Sequence, residues 1–174
     1  MRFLATLPLL ALGADPAAVE QPSVGHPSVE LVRTKPSPRA ELADSLEVLH
    51  AWDARRAHAW AESDPEALRA LYVRGSEAGR ADLQLLQAYR RHRVVVRRLV
   101  TQVFAVRVLH RGTRIIRLSV FDRVAGGELV HAGRRTTMRS SRPVTRTVVF
   151  RRVSGSWQVS RVSGSGRGPR AARP

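Results

Sequence analysis

The sequence predicts an α+β domain in which a long helix lies across a curved antiparallel sheet. Helical periodicity fills the first half of the folded region and strand-like alternation fills the second half. Turn residues separate the predicted strands by connections that are too short for crossovers, so neighbouring strands should be antiparallel. Helices followed by a run of antiparallel strands form the α+β class.

Three helices are predicted before the sheet. Ser37-Pro38 supplies a capping hydroxyl and a first-turn proline for a long helix that should end near Ser63. The segment SDPE that follows has the pattern of a capping box and opens a short helix, which stops before Gly75. A third helix is predicted over about 80–92.

Five strands are predicted after the helices, each bounded by Gly, Ser or Pro. They are Arg93–His110, Thr113–Val124, Leu129–Arg139, Val144–Val153 and Trp157–Val162. The first is apolar on both faces, which predicts a central strand, or one covered on its outer side by a partner, with Val100 and Phe104 in the core. Its adjacent Arg97 and Arg98 should point to opposite faces, so one of the two must turn inward unless a bulge intervenes.

The charge of the chain is large and unevenly distributed. The formal net charge is +16, with −3 in residues 1–86 and +19 in residues 87–174. Such asymmetry favours an anionic partner. However, 29 of the 30 basic residues are arginine, which is typical of a GC-rich genome and weakens the argument for nucleic acid. The sequence therefore predicts only nonspecific binding of nucleic acid.

Both ends of the chain read as segments outside the domain. Residues 1–13 have the positive start and apolar run of a signal peptide, so we predict an exported protein, with a cytoplasmic one as the alternative. The run is too short to span a bilayer, and the sequence predicts no transmembrane span. Residues 14–38 are a proline-rich linker, 39–162 the domain, and 163–174 a disordered basic tail.

The domain sequence resembles the nuclear-transport-factor-2-like, or SnoaL-like, superfamily. The resemblance rests on the helical stretch LEVLHAWDARRAHAWAESDPEALRALY, on the strand LSVFDRV and on the closing VVFRRVSGSWQV hairpin. The spacing of WD, LY, GS and DR is similar to that of uncharacterised actinobacterial members. The resemblance implies a cystatin-like, cone-shaped sheet with a pocket between sheet and long helix, and a homodimer through the outer sheet face. It implies no catalytic residue.

Two charged residues interrupt the apolar stripe of the long helix. Asp53 and Arg56 are spaced i, i+3 and can reach each other, as a structural ion pair or as the mouth of a pocket for a polar ligand. Trp60 follows on the same stripe, as a core residue or a pocket wall.

Asp122 lies on the predicted apolar face of the second strand. An aspartate there is either a proton-abstracting base with a raised pKa or the partner of an arginine. Arg98 is one such arginine, and it should meet Asp53 or Asp122 if it points inward. His131 is a further candidate for the pocket wall.

No reaction is fixed by the sequence. It has no cysteine, no histidine spacing suited to metal and no phosphate-loop, nucleophile-elbow or dinucleotide motif. We therefore predict no metal and no cofactor. The favoured function is a noncatalytic module that binds a small hydrophobic or polar ligand or another protein. The alternatives are a cofactor-free isomerase-like or cyclase-like enzyme using Asp122 with Asp53 or His131, and a binder of anionic surfaces.

Overall fold

The computed structural model describes residues 37–164, in which three helices pack on the concave face of a cone-shaped antiparallel sheet. The helices are α1 (Pro38–Ala61), α2 (Pro65–Ala70) and α3 (Glu77–Arg91), and the strands are β1 (Val94–Arg111), β2 (Ile115–His131), β3 (Arg134–Thr137), β4 (Val144–Val153) and β5 (Ser156–Gly164). The predicted α+β class is confirmed. The predicted signal peptide, nearly all of the predicted linker and the tail after Gly164 lie outside the described residues.

Each helix begins at a side-chain cap. Ser37 accepts a hydrogen bond from the Ala40 amide at 3.2 Å, and Asp64 accepts two amides at the start of α2. Ser76 caps α3, which therefore begins at Glu77, three residues before the predicted start. None of these three helices is long and apolar enough to cross a membrane.

The sheet order is β1-β2-β4-β5, and β3 pairs with the far end of β2. The prediction of a central first strand is wrong, because β1 lies at one edge of the sheet. The predicted break between the second strand, expected to end at Val124, and the third, expected to begin at Leu129, is also wrong, since β2 runs through Gly126-Gly127 to His131. A side chain at Gly127 would stand 3.0 Å from the Met138 sulfur, so the glycine serves close packing there rather than a turn.

Bulges in β1 explain why its core residues were mispredicted. The register with β2 shifts between Arg97 and Val100 and again between Val103 and Ala105. Each extra residue moves the following side chains to the other face. As a result, Val100 is 53% exposed and Phe104 is 45% exposed on the outer face, whereas Val103 and Val106 pack inward.

The core fills most of the cone between α1 and the sheet. Trp52 packs edge-on against Phe150 and against Tyr72, with ring centroids 6.1 and 5.8 Å apart. Ile116, Leu118 and Val120 of β2 are fully buried beneath the helix. Directly beneath α1, between Leu49 and Asp122, this packing leaves a pocket of only about 180 Å³.

Candidate functional site

A small open pocket remains between α1 and the sheet, with a volume of about 180 Å³. It is lined by Leu49, His50, Trp52, Asp53, Thr101, Val103, Asp122 and Arg146. Pockets for drug-sized molecules usually measure about 300–1,000 Å³. This one has room for a small polar group only.

Asp122 and Arg146 form an ion pair in the wall of this cone pocket. One carboxylate oxygen of Asp122, Oδ2, accepts hydrogen bonds from Nε and Nη2 of Arg146 at 3.0 and 2.5 Å. The Asp122 side chain is 4% exposed and that of Arg146 is 30% exposed. Burial raises the pKa of Asp122, the charge and hydrogen bonds of Arg146 oppose the rise, and the nearby charge of Asp53 adds to it.

Asp53 lies in the same pocket wall but does not pair with Arg56. Its carboxylate accepts a hydrogen bond from the Thr101 hydroxyl at 3.0 Å, which ties α1 to β1. The predicted i, i+3 ion pair is therefore wrong. Arg56 lies one turn further along α1 and extends toward α3 instead.

Arg56, Asp82 and Tyr72 form a buried network between α1 and α3. Asp82 accepts two hydrogen bonds from Arg56, at 2.6 and 2.7 Å, and one from the Tyr72 hydroxyl at 2.7 Å. Burial raises the pKa of Tyr72, and the charge of Asp82 adds to the rise. Burial lowers the pKa of Arg56, but its bonds to Asp82 outweigh this and leave it above its usual range. We interpret the network as structural, because the hydrogen bonds among its three side chains pair their buried polar groups with one another.

Three predicted pocket residues lie elsewhere. Trp60 is in the core, 2% exposed, with its ring edge-on to Tyr89. Arg98 adopts a positive φ of 52° in the bulge, points to solvent and pairs with Glu128, so the exception stated for a bulge applies and Arg98 meets neither Asp53 nor Asp122. His131 is exposed at the far end of β2, where its Nδ1 lies 3.4 Å from the Arg93 carbonyl oxygen. None of the three lines the cone pocket.

Sequence reasoning missed Asp82 and Arg146, although both had a signal. Asp82 is four residues before buried Leu86, which places it on the inner face of α3. Arg146 alternates with buried Val148 and Phe150 along β4 and must point inward with them.

The outer face of the sheet is rich in arginine and carries an exposed aromatic pair. Phe104 and Phe121 have ring centroids 5.3 Å apart, and the Arg123 guanidinium lies 5.6 Å from the Phe104 ring. Further arginines on this face are Arg107, Arg117, Arg151 and Arg161. The acids of the five described strands are Asp122, which points inward, and Glu128, which pairs with Arg98. Most of this positive charge is therefore unopposed.

Residues 37–164 contain no cluster of three or more His, Asp or Glu side chains that could hold a metal ion.

No family model matches the chain, and no curated protein matches it either. Among solved structures, a function-unknown protein from Mycobacterium tuberculosis is 12% identical, with a TM-score of 0.50 over 74% of this chain and 75% of its own. Aln2 from a Streptomyces species is 16% identical, with a TM-score of 0.49 over 74% of this chain and 91% of its own. A nuclear-transport-factor-2-like protein with a cystatin-like fold from Novosphingobium aromaticivorans is 17% identical, with a TM-score of 0.46 over 77% and 89%.

Three helices on a curved antiparallel sheet and the likeness to the Mycobacterium tuberculosis protein define the fold. It is the cone-shaped α+β fold that the resemblance to the nuclear-transport-factor-2-like superfamily implied. At such low identities the likeness shows the fold and nothing about activity.

Proposed function

We propose that the protein is a noncatalytic interaction module that binds an acidic protein segment on the outer face of its sheet. The observation that carries this is the exposed Phe104–Phe121 pair set among unopposed arginines. Aromatic residues and arginine are the side chains most enriched where protein interfaces are buried.

The pocket beside Asp122 offers little support for a substrate site. It is small, and Asp122 already accepts two hydrogen bonds from Arg146. The guanidinium stabilises the charged carboxylate, which weakens Asp122 as a base. Function therefore fits better on the outer face.

Charge complementarity decides which partner suits that face. A second copy docked through the same surface would bring arginines against arginines, which opposes association. An acidic segment neutralises them, and its apolar side chains can cover the two phenylalanines. A single-stranded nucleic acid would also complement the positive charge. However, Phe104 and Phe121 pack against each other, so each ring covers part of the other ring's face on which a base would stack.

The proposal can be tested with synthetic acidic polypeptides. At about 150 mM salt, where exposed charges are largely screened, the full chain should bind a glutamate–tyrosine copolymer at least about tenfold more tightly than polyglutamate. The gain should disappear in the Phe104→Ser/Phe121→Ser variant. Fluorescence anisotropy of labelled polymers measures both affinities.

The control is Leu85→Ser, which removes an apolar side chain that is also exposed (50%, against 45% for Phe104 and 40% for Phe121) but lies on α3. It should leave the copolymer affinity unchanged. Equal affinity for the two polymers, or tighter binding of oligothymidylate, would refute an acidic protein partner. A dimer that the two phenylalanine substitutions dissolve, measured by sedimentation, would assign the face to self-association instead.

A second candidate, a cofactor-free acid–base enzyme using Asp122, has one observation in its favour. The pKa of Asp122 is raised by burial, and the residue lines an open pocket. Native mass spectrometry of the full chain from its host, beside an Asp122→Asn variant, tests this. A bound small molecule that the variant loses supports a ligand site at Asp122, as the enzyme requires, whereas the bare protein mass in both counts against it.

A further inference from the structure

A groove lies on the outer face of the sheet, at the opposite end from the Phe104–Phe121 pair. It has a volume of about 420 Å³ and lies between β2, β4, β5 and the loop that precedes α3. Four arginines line it: Arg74, Arg117, Arg151 and Arg161. Its volume falls in the range of small-molecule sites, about 300–1,000 Å³.

The sheet register brings three of these arginines together. Arg117 and Arg161 both pair with Val149, from opposite sides of β4, so they occupy one row across the sheet. Arg151 is two residues further along β4 and projects from the same face. The three guanidinium groups therefore rise from two adjacent rows of one surface.

The fourth arginine comes from a loop docked on the edge of β5. The Val73 amide donates to the Val159 carbonyl and the Val159 amide donates to the Leu71 carbonyl, both at 2.9 Å. This pairing places the next residue, Arg74, beside the groove, where Gly75 turns the chain with a φ of +81°. The loop ends at Ser76, which caps α3 and also lines the groove.

These four charges have no counter-charge within the described residues. No acidic side chain among residues 37–164 lines the groove. The ion pairs of that part of the chain involve other arginines, namely those at positions 56, 69, 98, 111 and 146. Gathering like charges without a partner is unfavourable, and an anion bound between them removes the repulsion.

We infer that this arginine groove is a binding site for a small oxyanion that carries more than one negative charge, of the diphosphate or polycarboxylate type. Guanidinium forks bind phosphate and carboxylate oxygens through paired hydrogen bonds. Several forks in one groove suit a ligand with several charged oxygens. The inference goes beyond the proposed function and is independent of it, because it concerns a small molecule and a different end of the face.

Isothermal titration calorimetry with the full chain tests the groove, using inorganic pyrophosphate and citrate as probes at about 150 mM salt. We compare Arg117→Gln/Arg161→Gln with Arg107→Gln/Arg123→Gln, which removes the same charge from the same face outside the groove. The first variant should bind the better probe at least about tenfold more weakly, and the second should change by less than about threefold.

A third variant, Arg117→Lys/Arg161→Lys, keeps the charge and removes the forked geometry, and it should also bind more weakly. Preference for pyrophosphate assigns the site to phosphate-bearing ligands, and preference for citrate assigns it to polycarboxylates. Equal losses in the two glutamine variants, or wild-type binding that vanishes at about 150 mM salt, would overturn the inference. Neither result depends on whether an acidic polypeptide binds at Phe104 and Phe121.

Discussion

Replacing Asp82 with alanine should lower the free energy of unfolding by about 3–5 kcal/mol, the largest effect expected of any single substitution considered. Asp82 receives all of the hydrogen bonds that hold Arg56 and the Tyr72 hydroxyl between α1 and α3. Its removal leaves a guanidinium 20% exposed and a buried phenol, both without their partner. An abandoned buried charge is more costly than a lost hydrogen bond.

Two further variants separate the cost of breaking the Asp82 network from the cost of removing a carboxylate in general. Asp82→Asn keeps an acceptor for Tyr72 but loses the charge that faces Arg56, so it should fall between the wild type and alanine. Glu47→Ala removes an exposed acid from α1 and should stay within about 0.5 kcal/mol of the wild type.

Urea unfolding followed by tryptophan fluorescence measures these differences, because Trp52 and Trp60 lie 6.0 and 5.8 Å from the Arg56 guanidinium. Asp82→Ala and Glu47→Ala with the same unfolding midpoint would show that the network contributes nothing to stability.

The fold class was predictable because it rests on periodicity and caps. Ser37 caps α1 as expected, Asp64 is the one of the two candidates in the SDPE segment, Ser63 and Asp64, that caps α2, and the alternation of Ile116, Leu118 and Val120 identified the buried face of β2. Errors arose where backbone geometry breaks a period. The β1 bulges exposed Val100 and Phe104, and no residue type in that stretch announces a bulge.

The turn of the β2–β3 hairpin shows the same limit. Gly126-Gly127 has the composition of a turn, but the chain turns at Ala132-Gly133, where both residues have positive φ. An alanine at such a position is unusual, so composition pointed to the wrong pair.

Individual site residues were predictable and their partners were not. Alternation placed Asp122 inward, and helical spacing placed Asp53 and Arg56 on the inner stripe of α1. Which arginine meets Asp122 depends on how β2 and β4 align, since Arg146 pairs in register with Val120 and reaches across to the carboxylate. Local sequence does not determine the register between strands, so Arg98 was an equally reasonable partner for Asp122.

Replacing Arg146 with methionine should lower the free energy of unfolding by about 3 kcal/mol near pH 7.5, because it leaves the Asp122 carboxylate buried without a partner. The effect should be at the low end for a buried pair, since the Arg146 side chain is 30% exposed and water reaches it. Arg151→Met, on the outer face of the same strand, removes the same charge without breaking an ion pair and should cost less than about 0.5 kcal/mol.

The pKa of Asp122 determines how the free energy of unfolding of Arg146→Met should change with pH. Burial already raises the folded-state pKa of Asp122 above that of the unfolded chain, about 3.9, and loss of Arg146 must raise it further. The folded state then holds the proton more tightly than the unfolded state, so the variant loses stability as pH rises from about 4 through that folded-state pKa.

Urea midpoints for Arg146→Met should therefore approach the wild type near pH 4, where the carboxyl is neutral. The Arg146→Met/Asp122→Asn variant should mimic that recovery at neutral pH. A stability difference that is the same at both pH values would show that Asp122 is not left charged and buried.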